Sequence, residues 1–280
     1  MPRNHGTSGT LGTPGTSGTT VIAITRPVSA SINHCELTHL TREPIDLERA
    51  RQQHAAYERA LEAAGCEIAR MDEAADLPDS VFVEDTAIVF DEVAIVTRPG
   101  ASTRRPETPP VADLLRRYRR VRQIEAPATI DGGDVLVAGR AVFIGLSRRT
   151  NEAAVAQMRR ILEPHGYEIH AVRVIGCLHL KSAVTAVADD RLLINPMWVA
   201  RDAFSSVGLI EIDPREPAAA NVLRVGGKLI SAERFPHTVD RLSQNGFAVC
   251  KLDMSELAKA EAAVTCCSLI FPVQPHLTKP

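Results

Sequence analysis

The sequence predicts an α/β fold of small, similar units closed into a ring, and three observations carry that expectation. An apolar run, a turn and a second apolar run recur four times along the chain. Segments with helical signals separate these hairpins, at a spacing of roughly 40 to 50 residues. A fifth half-hairpin near one end of the chain finds its match in an apolar run near the other. A doubly wound sheet would place single strands between helices, so the repeated short hairpins weigh against it.

Taken in order, residues 1–20 are a run of Gly, Ser, Thr and Pro with too little apolar surface to offset ordering entropy. They read as a flexible tail ahead of a single domain over 21–280. V-I-A-I-T (21–25) is a strand, and residues 46–65 are a helix with Asp46 as N-cap and Gly65 as its stop. T-A-I-V-F-D-E-V-A-I-V-T (86–97) and D-V-L-V-A-G-R-A-V-F-I-G (134–145) are hairpins, the second turning at Ala138, Gly139 and Arg140. Residues 150–164 carry helical spacing behind Thr150 as cap. Two more hairpins follow, over 182–194 with a turn at Asp189 and Asp190, and over 219–231 with a turn at Gly226 and Gly227. A short helix is expected over 253–260, capped by Asp253 or Ser255. The last element, T-C-C-S-L-I-F (265–271), is a strand with no second strand after it, and 21–25 is its expected partner.

At 280 residues with 45% hydrophobic content the chain can bury a substantial core. A formal net charge of -2 gives no bulk reason to expect nucleic acid or an anionic membrane as partner. R-R-Y-R-R (116–120) reads as a solvated helix face rather than a nucleic-acid patch. No run of 18 uninterrupted apolar residues and no apolar signal segment is present, so a cytoplasmic protein with a small-molecule partner is expected. The six cysteines are expected as reduced thiols. Cys266 and Cys267, if extended, project to opposite faces and chelate a metal poorly in cis. Cys177 and His179 would share one face of a strand, but two ligands do not make a structural metal site.

Equivalent strand starts in a ring face one axis, which would gather residues near 84, 131, 179 and 266. Those positions hold Glu84, Asp85, Asp131, Asp134, His179 and Cys266. A cysteine attacks as thiolate, a histidine moves protons near neutral pH, and a carboxylate orients the histidine, so the set suits nucleophilic hydrolysis. Singly, each has a plainer reading: a packed thiol, a hydrogen-bonded core histidine, a D-G-G-D turn, a solvated strand start.

Six blocks, V-F-V-E-D-T-A-I-V, V-T-R-P-G-A-S-T-R-R-P-E, T-I-D-G-G-D-V-L, F-I-G-L-S-R-R-T-N, G-C-L-H-L-K-S and T-C-C-S-L-I, closely resemble in order the motifs of the dimethylarginine dimethylaminohydrolase family. The resemblance runs from about Val21 to Phe271. It implies a five-bladed α/β propeller of ββαβ units, the pentein fold of guanidine-modifying enzymes. It further implies Cys266 as nucleophile, His179 as proton shuttle and Asp131 as its orienting carboxylate. Substrate contacts would be Asp79, Glu84 and Asp85 toward the guanidinium and amino groups, Arg104 and Arg149 toward the carboxylate, the Leu37 backbone, and Ala260 with Glu261. Carboxylates suit a cationic guanidinium, and the arginine fork suits a carboxylate.

The implied reaction hydrolyses asymmetric dimethylarginine or monomethylarginine to citrulline and an amine through a covalent thiouronium, with no metal and no organic cofactor. Arginine deiminases carry H-x-D where this chain has His179, Leu180 and Lys181, and the missing acid favours a methylated substrate. An arginine deiminase, another guanidine hydrolase or an amidinotransferase of the same superfamily is the alternative. A non-catalytic binder of arginine analogues is a second, which an intact Cys266, His179 and Asp131 argue against. The sequence leaves the oligomeric state open, a homodimer among the options.

Overall fold

The computed structural model describes residues 19–273. The tail reading of residues 1–20 therefore lies outside the described residues, apart from its last two positions, where Thr20 already opens the first strand. In chain order the elements are β1 (Thr20–Thr25), α1 (Leu47–Ala63), β2 (Cys66–Arg70), β3 (Ala87–Val89), β4 (Ala94–Val96), α2 (Thr108–Leu115) and β5 (Val121–Gln123). Then come β6 (Val135–Ala138), β7 (Ala141–Leu146), α3 (Glu152–Leu162), β8 (Glu168–Arg173), α4 (Leu180–Ala183), β9 (Val184–Ala188), β10 (Arg191–Ile194) and β11 (Gly208–Glu211). The last are β12 (Leu223–Val225), β13 (Lys228–Ala232), α5 (Pro236–Gln244), β14 (Ala248–Leu252), α6 (Ser255–Ala258) and β15 (Leu269–Val273).

The strands form five three-stranded sheets, β15-β1-β2, β3-β4-β5, β6-β7-β8, β9-β10-β11 and β12-β13-β14. In each, the middle strand runs antiparallel to the first and parallel to the third. A parallel pair needs a crossover, and a helix supplies it in four units: α1, α2, α3 and α5. The fourth unit makes do with a 3₁₀ turn at Arg201–Phe204, whose Phe204 is fully buried. β1 pairs with β15 in the register Ile22 to Phe271 and Ile24 to Leu269, so the two ends of the described chain close the ring. The hairpins and the ring closure thus follow the sequence expectation, and the arrangement is a five-bladed α/β propeller.

The first strand of each unit lies innermost: β15 packs against β3, β6 against β9, and β9 against β12. Apolar clusters weld neighbouring units. Tyr57 and Leu61 of α1 join Leu229 and Leu242; Ile95 and Ile144 join Met158 and Leu162 of α3; Phe143 joins Val184, Leu192 and Phe204; Ile24 joins Ala94, Leu115 and Phe271. Each large side chain taken fully out of water contributes about 1.5–3 kcal/mol.

Several local expectations need correction. Helix α3 is capped by Asn151, whose side chain accepts from the Ala154 amide, while the Thr150 hydroxyl is taken by Asp134. The expected 253–260 helix shrinks to α6. Residues 116–120 are not a helix face but the turn after α2, where Tyr118 meets Phe271 edge-on at 5.4 Å and Arg119 donates to the Phe90 carbonyl. Cys266 and Cys267 lie in a turn ahead of β15, and Cys177 and His179 in the bend ahead of α4, so strand alternation governs neither pair. Their burial still differs: Cys267 is wholly enclosed, and Cys266 retains some exposure.

Candidate active site

Every chemistry-bearing residue singled out from the strand starts sits just before an innermost strand, so the ring delivers them to one end of its axis. Glu84 and Asp85 occupy the 3₁₀ turn before β3, and Asp131 and Asp134 flank or close the turn before β6. His179 is the residue preceding α4 and β9, and Cys266 precedes β15. The D-G-G-D turn owes its glycines to crowding. A Cβ on Gly132 would stand 1.9 Å from the Glu84 carbonyl oxygen, and one on Gly133 would stand 2.6 Å from His179 Nδ1 and 2.9 Å from Asp85 Oδ1. The turn that looked like generic punctuation in the sequence is a seam packed against the Glu84 and Asp85 turn and the His179 ring.

His179 is 6% exposed and Asp131 fully buried; His179 Nε2 lies 3.0 Å from Asp131 Oδ2, and its Nδ1 lies 3.9 Å from Asp85 Oδ1. The other Asp131 oxygen accepts the Gly100 amide at 2.9 Å. Burial alone would lower the His179 pKa, but Asp85, the Asp131 hydrogen bond and Asp134 outweigh it and push it up to about 9. The imidazole is therefore protonated at neutral pH. Cys266 shows the opposite logic: burial first, then Glu84 and Asp85, drive its thiol up to about 12, against the Ala263 amide and Lys181. The Ala263 N–H donates to Cys266 Sγ at 3.4 Å.

Asp85 is tied to Arg104 Nη1 at 2.5 Å and to the Gly133 amide at 3.0 Å. Burial would raise its pKa, yet His179 and Arg104 hold it down at about 2. Asp134 accepts from Ser147 and Thr150 at 2.6 Å each and from the Leu180 amide at 2.9 Å. Its burial is not fully offset, and the pKa rises to about 6. Asp79 accepts the Glu36 amide at 3.1 Å and 3.2 Å, with burial pushing its pKa up against Arg104.

One cavity of about 20 Å³ is lined by Asp79, Asp85, Arg104, Arg149, His179, Ala260, Glu261 and Cys266. Asp131 stands behind His179, enclosed. Leu37 belongs to the loop that borders the cavity through its neighbour Glu36, without lining it. Three placements differ from expectation. Glu84 does not line this cavity; its carboxylate is held by Lys181 Nζ and Thr265 Oγ1, each at 2.7 Å, and faces a separate cavity of about 280 Å³ along the inner strands. Arg104, expected to meet a carboxylate of the substrate, spends all three guanidinium nitrogens on Asp85, Glu107 and the Asp79 and Phe82 carbonyls, because it is 4% exposed and must be fully paired. Glu261 turns its carboxylate onto the backbone of residues 38–40. Arg149 is less committed, donating to Thr38 Oγ1 at 3.1 Å with Nη1 3.9 Å from Asp131.

Sequence reasoning missed Thr265 and Asn221, and it read Lys181 only as a missing acid. Asn221 donates to Thr265 Oγ1 and to the Lys181 carbonyl, and its Oδ1 accepts the Thr265 amide. Asn221 sits just before β12, so the strand-start rule that found the others would have found it too. Among the described residues, Asp85, Asp131 and His179 bring ligand atoms within 4.8 Å of one another. All three are already engaged with each other and with Arg104, Gly100 and Gly133. Chemically, the arrangement offers a thiol, a charged imidazole and carboxylates around one small space, the parts for attack on a cationic, planar carbon.

A family model described as N,N dimethylarginine dimethylhydrolase, eukaryotic, matches residues 22–202. The N(G),N(G)-dimethylarginine dimethylaminohydrolase of Streptomyces coelicolor is 40% identical over 88% of this chain and 95% of its own. That of Pseudomonas aeruginosa is 36% identical over 90% and 98%. A solved structure of the Pseudomonas aeruginosa enzyme, a cysteine-to-serine variant complexed with citrulline, superposes with a TM-score of 0.84 at 34% identity, covering 89% of this chain and 98% of that one. The N-terminal domain of a cyanobacterial arginine dihydrolase shares the fold at 18% identity, with a TM-score of 0.81 over 90% and 97%.

Proposed function

The chain belongs to the dimethylarginine dimethylaminohydrolase family, and from that premise we propose that it hydrolyses Nω-methylated arginines to citrulline, with Cys266 as nucleophile, His179 as proton shuttle and Asp131 as the group that orients His179. The observation that carries the assignment is the Asp131 to His179 pair at 3.0 Å behind a cavity whose wall also holds Cys266.

The electrostatics suggest how the reaction runs. In the free protein the thiol is neutral and the imidazole charged, so the nucleophile is resting. A guanidinium drawn in by Asp85 and Asp79 brings positive charge against Cys266, opposing the carboxylates that raise its pKa, and favours the thiolate. The thiolate adds to the guanidinium carbon, and protonated His179 gives its proton to the methylated nitrogen. The C–N bond breaks, and the neutral methylamine or dimethylamine departs, leaving an S-linked thiouronium on Cys266. Neutral His179 then takes a proton from water as the water adds to the same carbon. Collapse expels the sulfur, which takes up the remaining hydroxyl proton to restore the thiol, and frees neutral citrulline. Arg149, close to the loop and only partly paired, is the better placed of the two arginines for the substrate carboxylate. Arg104 instead supports Asp85.

Position 181 supports the methylated substrate: Lys181 turns to Glu84, outside the cavity lining, and supplies no further acid to grip an unsubstituted guanidinium. We place the enzyme in the cytosol, consistent with six free cysteines and with the absence, among the described residues, of a helix long and apolar enough to cross a membrane. The test is a citrulline assay with asymmetric dimethylarginine, monomethylarginine and arginine offered in parallel. Turnover of the methylated compounds, abolished by Cys266→Ser, is the expected result. Citrulline from arginine alone would move the assignment to a deiminase.

A further inference from the structure

A cavity of about 20 Å³ holds roughly one water, whereas small-molecule pockets run to about 300–1,000 Å³. The site as it stands is too narrow for an arginine-sized ligand, and the segment that borders it on one side is the loop after Cys35. Glu36 borders the cavity, donates its amide to Asp79 and accepts from Thr103 Oγ1 at 2.6 Å. Arg149 holds the Thr38 hydroxyl. The strongest tie is Glu261. Its carboxylate accepts the amides of three consecutive residues: Thr38 at 3.0 Å to both oxygens, His39, and Leu40 at 2.6 Å. These amides have no other protein acceptor among the described residues.

Two further observations set Glu261 apart. At φ 59° it is the only non-glycine residue with positive φ among the described residues, a conformation that persists only where the surroundings over-determine it. It also lies in the turn that runs to the nucleophile, two residues before Ala263, whose amide donates to Cys266 Sγ. Loop and nucleophile turn are therefore joined through one side chain.

We propose that Glu261 is a positioning residue, the latch that holds residues 38–40 closed over the site, and not a direct ligand of the substrate. An ionised carboxylate facing three converging N–H groups is a strong, charge-assisted clasp that any alternative loop position gives up. Opening must break it to admit a ligand, and reclosing re-forms it and excludes bulk water during the attack on carbon. Its purpose rests on the proposed reaction, but the clasp can be read without turnover.

Hydrogen exchange in the full-length protein measures it directly. Glu261→Gln keeps the shape and removes the charge. The amides of 38–40 are expected to exchange at least tenfold faster, with the exchange of β1 and β7 unchanged. Alkylation of Cys266 by iodoacetamide should quicken in parallel, and KM for a turned-over guanidine should rise more than kcat falls. Should that variant fail to fold, Glu261→Gly, whose backbone accepts the left-handed φ, carries the same test. Exchange at 38–40 within twofold of the parent in a folded variant overturns the latch, whatever the activity. Faster exchange in a protein that turns over no methylated arginine leaves the latch standing and removes only the substrate assignment.

Discussion

His179 is where a few ångströms decide the chemistry. Its imidazole is charged because Asp85, Asp131 and Asp134 outweigh its burial, so each carboxylate removed should bring its pKa back down. Asp131→Asn deletes both a charge and the orienting acceptor. Turnover should fall by about 10²–10⁴, and the alkaline limb of the pH profile, expected at about 9 in the parent, should move to lower pH. A profile that keeps its limb would separate Asp131 from the histidine. Cys266 gives the complementary reading. With its thiol at about 12, alkylation of the free protein should climb about tenfold per pH unit through pH 9, with no plateau. A plateau near neutrality would mean a resting thiolate–imidazolium pair instead. At this scale the sequence was legible for residue types and strand starts, since the acids, His179 and Cys266 recur at one position in four of the five units. It could not show that Arg104 is consumed by Asp85 and Glu107, because ion-pair choice is settled by burial.

At the level of elements, the hairpins were visible because their inner strands are buried runs broken by turn residues. The third strands were not visible from the residues alone. β5 is three residues long and mostly exposed, and β14 is largely exposed as well, so neither shows alternation. Helix α5 starts at Pro236, a usual first helical position, but its nine residues were too few to stand out. The D-G-G-D turn distinguishes stability from catalysis. Gly132→Ala drives a Cβ into the Glu84 backbone and should cost roughly 3 kcal/mol or more, read as a lower urea midpoint. Gly133→Ala meets the His179 ring instead, so it should lose turnover out of proportion to its stability. Equal effects of both variants on both readouts would argue against the turn as a seam between blades.

The ring as a whole explains why residues from 79 to 266 meet. Five similar units with the same strand order point five strand starts at one end of an axis, and closure by β1 on β15 fixes the last of them, the turn carrying Cys266. A chain beginning at Val28 lacks β1, exposes both β2 and β15, and should lose cooperative unfolding by circular dichroism; a retained sharp transition would show that closure is dispensable. The repeat made this architecture readable in the sequence, whereas the Cys266 and Cys267 step was not, because a turn and not a strand carries it. The choice between those two thiols is also the point on which the catalytic proposal rests. Acid quench of the parent protein during steady-state turnover of asymmetric dimethylarginine, followed by peptide mass spectrometry, tests it most directly. An amidino adduct, the substrate less dimethylamine, on Cys266 is the predicted result, and the same adduct on Cys267, or citrulline formed with no adduct at Cys266, would contradict it.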